Sequence, residues 1–227
     1  MARTALLVGA TGLVGGHVLD RILEDARWSR VLVLARRTAA RSHEKLAEHI
    51  VDFEALVTEP EASGLSLDGV DDVFACLGTT IKVAGSQERF RRVDHDYTVA
   101  VARLARDAGA RRLALVSSIG ADERARNFYL RVKGETERDL RHLSYESFVI
   151  ARPSVLVGER SVGRAGESAG IAVMSAVAPL MLGRLRAYRP IAARDVGVAI
   201  VEALAVDEPG VRVLTHADLV ADKRRAS

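Results

Sequence analysis

The chain has 227 residues, a length that favours one large domain over two independent ones. Hydrophobic residues make up 48% and charged residues 28%, so a disordered, collagen-like or coiled-coil chain is disfavoured. The 33 Lys and Arg nearly balance the 30 Asp and Glu. Since both signs are interspersed and form no one-sided basic stripe, we expect no nucleic-acid partner.

The single cysteine and the scattered histidines argue against disulfides and metal ions. Cys76 cannot form an intrachain disulfide, and a cysteine-based zinc site would lack its ligands. The longest apolar stretch, 170–183, is interrupted by Ser175 and Pro179 and is shorter than the ~20 residues that a bilayer requires. We therefore predict a cytoplasmic setting, no membrane association and no metal.

Strand-length apolar runs alternate with stretches of helical periodicity. This alternation predicts an α/β fold with a parallel sheet and helices on both faces. Residues 1–227 are expected to form one domain in which 153–190 is a small C-terminal substrate-binding or lid region. Strands are predicted over 4–8, 31–35, 49–53, 72–76, 112–117, 147–151 and 211–215, and helices over 12–27, 87–108, 127–143 and 193–205.

A glycine-rich segment, Gly9-Ala10-Thr11-Gly12-Leu13-Val14-Gly15-Gly16, follows the first predicted strand and opens the first predicted helix. In such a loop Gly9 allows a sharp turn, Gly12 lets the backbone approach a pyrophosphate, and Gly15 permits close packing. The helix N-terminus offers free amide donors and the positive end of the helix dipole to phosphate. The strand-loop-helix context predicts a dinucleotide site on a Rossmann-type doubly wound sheet. The alternative is a structural turn without a ligand.

The end of the second predicted strand favours NADP(H) over NAD(H). An NAD site usually has Asp or Glu at this point, where it binds the ribose 2′-hydroxyl. Here the residues are Arg36 and Arg37, whose guanidinium groups can bind a 2′-phosphate through charge-assisted hydrogen bonds. The alternative is that the arginines are merely solvated at the strand end.

Tyr129 and Lys133 are four residues apart on a predicted helix and therefore share one face. A phenol has a pKa near 10 and needs a nearby cation to exchange protons at neutral pH, which Lys133 would supply. Ser117 and Ser118 end the preceding strand, at the sheet edge where ligands of open α/β folds bind. A serine hydroxyl would hold the substrate oxygen, Tyr129 would exchange its proton, and the cofactor would exchange hydride.

Together these segments resemble the short-chain dehydrogenase/reductase superfamily, in particular its atypical NAD(P)H-binding branch, similar to HIV Tat-interacting-protein-like oxidoreductases. The resemblance extends to about residue 164 through GATGLVG, VLARR, VDFEAL, CLGTT, VDHDY, SSIGA, NFYLRVKGE and ARPSVLVGER. The classical NNAG segment is replaced by residues 76–80, so the resemblance supplies no counterpart for the asparagine of the classical tetrad.

The resemblance implies roles for individual residues. The family pattern favours Ser118 over Ser117 as the catalytic serine, beside Tyr129 and Lys133. The cofactor contacts it implies, with the glycine loop and the arginines included, are Gly9, Thr11, Gly12, Leu13, Val14, Gly15, Arg36, Arg37, Asp52, Phe53, Leu77, Gly78, Tyr129, Lys133, Leu156 and Arg164. The charged run 94–97 is interpreted as the solvated face of a helix.

These features predict an NADP(H)-dependent oxidoreductase that acts on a carbonyl or alcohol of a small organic substrate. The alternative is a non-catalytic NADP(H)-binding regulator or redox sensor that binds a protein partner. An epimerase or dehydratase is disfavoured because little chain follows Pro153. The oligomeric state is open, since the apolar segment 171–182 could dock a second subunit, cover the substrate or pack internally.

Overall fold

A central sheet of seven parallel strands organises the protein. The computed structural model describes residues 2–38, 41–60, 64–158 and 183–221. The strands are β1 Arg3–Val8, β2 Trp28–Ala35, β3 Leu46–Ile50, β4 Asp72–Ala75, β5 Arg112–Val116, β6 Ser147–Ala151 and β9 Gly210–Leu214, and β7 Leu156–Val157 pairs separately with β8 Ile191–Ala192. The strand order in the sheet is β3-β2-β1-β4-β5-β6-β9, and every neighbouring pair is parallel. The prediction of a Rossmann-type doubly wound sheet is therefore confirmed.

Helices connect successive strands and cover both faces of the sheet. Among the residues that the structure describes, no helix is long and apolar enough to span a membrane. The α-helices are α1 Leu13–Glu24, α2 Phe53–Thr58, α3 Ile81–Ala84, α4 Gln87–Arg91, α5 Tyr97–Asp107, α6 Phe128–His142, α7 Ala193–Ala205 and α8 His216–Ala221; a π-helical segment, Arg92–Asp96, joins α4 to α5, and Gly183–Tyr188 is a 3₁₀ helix.

Side chains that alternate along the strands form two apolar layers. In β1, Ala5 and Leu7 pack with α1 and α7 on one face of the sheet. Leu6 and Val8 pack with α2 and α5 on the other. Because successive side chains of a strand point to opposite faces, the continuous apolar runs of the sequence become strands buried on both sides.

Tertiary contacts move several element boundaries. The strand predicted over 49–53 is wrong at both ends: β3 is Leu46–Ile50, and Phe53 begins α2 because the Asp52 carboxylate accepts the N–H of Glu54 at 2.9 Å. The helix predicted over 12–27 ends at Glu24, where the Lys45 ammonium donates to two nearby carbonyls at 3.0 Å. The helix predicted over 87–108 contains the π segment in its middle.

Parts of the C-terminal predictions lie outside the described residues. These are the segment 159–182, with Arg164 and most of the predicted substrate or lid region, and residues 222–227 of the predicted single domain. The helix predicted over 193–205 is confirmed as α7. The last predicted strand, 211–215, corresponds to β9, which begins and ends one residue earlier.

Candidate cofactor and catalytic site

The carboxyl ends of β1 and β4 meet at the glycine loop. Chain connections leave β1 toward β2 on one side and resume at β4 on the other, which makes this edge the topological switch point where such sheets bind ligands. Gly9 has φ +85°, and a Cβ atom there would lie 2.3 Å from the carbonyl oxygen of Cys76. Only glycine fits this turn against β4.

The loop leads to a helix N-terminus that has no side-chain cap. Gly12 is the N-cap residue, and the first turn of α1 contains no acidic residue. The amide of Gly12 donates to the carbonyl of Gly9 at 2.8 Å, which closes the loop. Such an N-terminus presents N–H donors to an anion, and Thr11, Leu13 and Val14 lie at this end of the helix.

A cavity of about 630 Å³ opens in front of this loop. Six of the predicted cofactor residues line it: Gly9, Thr11, Gly12, Arg36, Leu77 and Gly78. Arg89 and Arg92 also line it, with Glu54 as the only acid among the described lining residues. The structure therefore places Arg36, but not Arg37, in the cavity wall, and the excess of guanidinium groups suits a polyanionic ligand.

Glu54 and Tyr97 form a cluster at the Arg36 side of this cavity that the sequence did not indicate. Arg92 donates to Glu54 Oε2 at 2.9 and 2.6 Å, and the Tyr97 hydroxyl donates to Oε1 at 2.6 Å. These hydrogen bonds hold the pKa of Glu54 below its usual value, and the bond from Arg92 has the larger effect. Asp52 caps α2, and the buried Phe53 ring packs on Tyr97 at 5.4 Å. Neither the exposed Asp52 nor the buried Phe53 is among the described residues that line the cavity.

Tyr129 and Lys133 occupy the first two turns of α6, as predicted. The N-cap of this helix is Asn127, whose side chain accepts the N–H of Leu130 at 3.1 Å. Tyr129 is half-buried and packs on Phe90, with ring centroids 5.4 Å apart. Lys133 is buried, and its ammonium donates to the carbonyl oxygen of Val116 at 3.4 Å. Lys133 therefore contacts the end of β5 immediately before the two serines.

The two serines that follow β5 have different surroundings. Ser117 is buried, and its hydroxyl donates to Glu137 at 2.5 Å. Arg152 binds the same carboxylate at 2.9 and 2.6 Å, so this serine belongs to a buried structural network. Ser118 is half-buried, and its hydroxyl donates only weakly to the Ile119 carbonyl, at 3.3 Å. Of the two, Ser118 has the hydroxyl that is available to a substrate.

Leu156 lies on β7, beyond the end of β6. The chain continues from β7 to Gly158, where an added Cβ atom would lie 2.9 Å from a methyl group of Leu13. This contact brings the segment that follows Pro153 against the start of α1 and the glycine loop. Leu156 is therefore near the glycine loop, whereas Arg164 is outside the described residues.

The charged run 94–97 is not the solvated helix face that the sequence indicated. Asp94 is 1% exposed, and its carboxylate lies 2.8 Å from the ammonium of Lys133. His95 is also buried, between Asp96 at 2.7 Å and Asp139 at 2.8 Å. The prediction failed because the π segment changes which residues face inward, and helical spacing alone does not reveal a π turn.

A family model described as NAD(P)H-binding matches residues 9–178 of this chain. The chain belongs to this family. It is 39% identical to protein FMP52, mitochondrial, of Eremothecium gossypii over 220 residues, which cover 96% of each chain. It is 34% identical to protein HTATIP2 of Rattus norvegicus over 168 residues, 73% of this chain and 67% of that protein. The predicted membership in the atypical, NAD(P)H-binding branch of the short-chain dehydrogenase/reductases is confirmed.

Solved structures share the fold at low identity. UDP-N-acetylglucosamine 4-epimerase from Methanobrevibacter ruminantium M1 superposes with a TM-score of 0.67 at 15% identity, covering 100% of this chain and 83% of that one. MoeE5, solved in complex with UDP-glucose and NAD, has a TM-score of 0.65 at 16% identity, covering 99% of this chain and 82% of that one. At such identities the likeness shows the fold alone.

Proposed function

We propose that this protein is an NADP(H)-dependent oxidoreductase that transfers hydride to or from a carbonyl or alcohol carbon of a small organic substrate. The supporting observation is the buried ammonium of Lys133, on the same face of α6 as Tyr129 and in contact with the end of β5. Burial lowers the pKa of Lys133, but the negative charge of Asp94 outweighs this effect and raises that pKa. Lys133 is thus charged at neutral pH, as a phenol that exchanges protons requires.

The cavity fits a dinucleotide phosphate. The uncapped N-terminus of α1 suits the pyrophosphate, and Arg36 in the cavity wall suits a 2′-phosphate. Glu54, the acid in the described lining, already accepts hydrogen bonds from Arg92 and Tyr97 and so repels an added phosphate less than a free carboxylate would. These contacts support NADP(H) over NAD(H).

Each of the three predicted catalytic residues, Ser118, Tyr129 and Lys133, has a separate role in the proposed reaction. NADPH, when bound, supplies the hydride that reduces the substrate carbon. The Ser118 hydroxyl would hold the carbonyl oxygen, and Tyr129 would donate its phenolic proton to that oxygen as the alcohol forms. The Lys133 ammonium would stabilise the phenolate that remains until solvent restores the proton. Alcohol oxidation follows the same steps in reverse.

Calorimetric titration with NADPH and NADH, followed by a panel of aldehydes and ketones monitored by loss of NADPH absorbance, tests this proposal. We expect tighter binding of NADPH and measurable turnover. Tyr129→Phe should bind NADPH as the wild type does and lose turnover by at least 100-fold, the scale of general acid catalysis. The control is Tyr145→Phe, which removes a hydroxyl that donates to the Ala102 carbonyl in the core.

The possible results separate the alternatives. Turnover by Tyr129→Phe at the wild-type rate would remove this residue from the mechanism. Tight NADPH binding without turnover across the panel would favour the non-catalytic regulator. Failure to bind either dinucleotide would refute the assignment of the cavity.

The cellular setting is part of the proposal as well. A single buried cysteine is compatible with the reducing cytoplasm that we predict. The printed names of the fungal FMP52 relatives contain the word mitochondrial, which makes mitochondria the competing location. Fractionation of cells that produce the protein should place it with cytoplasmic markers, and recovery with mitochondrial markers would contradict the prediction.

A further inference from the structure

Asp94 links the lysine of the proposed catalytic site to the loop that lines the cofactor cavity. One carboxylate oxygen lies 2.8 Å from the Lys133 ammonium. The other accepts the backbone N–H of Thr79 at 2.9 Å. Thr79 and Gly78 line the cavity, and a Cβ atom at Gly78 would lie 3.8 Å from Asp94. One buried side chain thus contacts both parts of the site.

The π-helical segment explains how a residue of this long helix reaches inward. Asp94 lies in the middle of Arg92–Asp96, where the wider turn breaks the regular helical spacing. The Thr136 hydroxyl donates to the backbone carbonyl of Asp94 at 3.3 Å and to that of Val132 at 2.8 Å. The π segment is therefore attached to α6, close to Lys133. Single π turns in α-helices are frequently found at functional sites.

Stability alone is a poor explanation for this ion pair. Asp94 is 1% and Lys133 5% exposed, so both charges lose their hydration on folding. Well-packed apolar residues of similar volume often stabilise a protein as much as a buried ion pair does. Asp94 forms an ion pair with the ammonium at 2.8 Å, and the Val116 carbonyl accepts one of the three ammonium donors at 3.4 Å.

We propose that Asp94 is a positioning residue that holds the Lys133 ammonium charged and fixed in place, and that joins it through Thr79 to the cavity-lining loop that follows β4. This inference rests on the proposed function for its catalytic consequence, but the pairing itself can be measured without a substrate. The negative charge of Asp94 also partly offsets the electrostatic effect of the Lys133 ammonium on Tyr129. Asp94 therefore sets the pH range in which the site works.

Asp94→Asn is the decisive variant, because it keeps the shape of the side chain and removes its charge. The chain has only four lysines, so NMR of ¹³C-labelled lysine side chains resolves the titration of Lys133, assigned by comparison with Lys133→Met. Since an opposite charge at this distance raises a lysine pKa by about 1–3 units, the Lys133 midpoint should fall by that amount. The control is Asp139→Asn, a half-buried ion-paired carboxylate on α6, which should leave the Lys133 midpoint unchanged.

Turnover, measured together with the Lys133 midpoint, separates this inference from the proposed function. If turnover is found, its entire pH profile should move to lower pH in Asp94→Asn. If no turnover is found but the Lys133 midpoint falls, the proposed reductase fails and the positioning role stands. An unchanged Lys133 midpoint, or an equal change in Asp139→Asn, would overturn the inference.

Asp94→Asn leaves a buried ammonium without its counter-charge and could fail to fold for that reason. The double variant Asp94→Asn/Lys133→Met removes both charges. Its melting temperature should exceed that of each single variant if the two groups are paired directly. A double variant no more stable than the more stable of the two single variants would overturn the direct pairing.

Discussion

Replacing Arg36 and Arg37 one at a time tests how the protein selects its dinucleotide. Both arginines are exposed, but only Arg36 is among the described residues that line the cavity. Arg36→Ala should therefore weaken the binding of NADPH and leave the affinity for NADH nearly unchanged, since only NADPH has a 2′-phosphate. Arg37→Ala is the matched control, because it removes the same charge one residue along the same chain segment.

The size of the effect follows from the exposure of Arg36. A hydrogen bond to a charged group contributes about 1.5–3 kcal/mol, and an exposed guanidinium is expected in the lower part of that range, at about 1.5–2 kcal/mol. At about 1.4 kcal/mol for each factor of ten, Arg36→Ala should raise the Kd for NADPH by about 10- to 30-fold. The Kd for NADH should change by less than about twofold.

Calorimetric titration of the three proteins with both dinucleotides, at about 0.1 M salt where the Debye length is about 10 Å, measures these values. In a second titration at higher salt, the wild-type Kd values for NADPH and NADH should differ by a smaller factor. Equal losses of NADPH and NADH affinity in Arg36→Ala would show that Arg36 does not bind the 2′-phosphate. A loss in Arg37→Ala as large as that in Arg36→Ala would refute the distinction drawn from the cavity wall.

Three further predictions concern stability and ionisation. Gly15→Ala should destabilise the fold by about 1–3 kcal/mol in chemical denaturation, because its Cβ would lie 2.1 Å from the Gly9 carbonyl oxygen, whereas Gly16→Ala, with 3.6 Å to its nearest atom, should stabilise it by about 0.5–1 kcal/mol. Burial and the Glu54 hydrogen bond raise the pKa of Tyr97 to about 12, so its phenolate absorbance should appear near that pH and at lower pH in Glu54→Gln. Burial raises the pKa of Cys76 to about 12, so Ellman's reagent should react with this thiol only after unfolding, and fast reaction of the native protein would contradict its buried position.

Local sequence determined most of the sheet and the cofactor loop. β1, β5 and β6 match their predictions within one residue at each end, because continuous apolar runs in a parallel sheet are local signals. The turn at Gly9 was also predictable, since a left-handed residue against β4 requires glycine. Asn127 likewise marks the start of α6, because an asparagine N-cap is a local signal.

The boundaries that failed depend on partners distant in sequence. The Trp28 indole donates to Asp72 at 2.6 Å, and β2 begins at Trp28 rather than at residue 31. α1 ends early where Lys45 reaches its last carbonyls. No window of neighbouring residues contains both members of these pairs, so local periodicity could not predict them.

The sequence by itself determined the α/β class, the glycine loop and the pairing of Tyr129 with Lys133 on one helix face, because each depends on residues within a few positions of one another. Only the tertiary structure decided that Arg36 lines the cavity, that Ser117 is bound to Glu137, and that Asp94 is buried against Lys133. The physical reason is that burial and charge pairing arise between elements that meet only after folding. From sequence alone, a charged residue of an amphipathic helix is expected to face solvent, because the opposite charge that would compensate its burial cannot be identified.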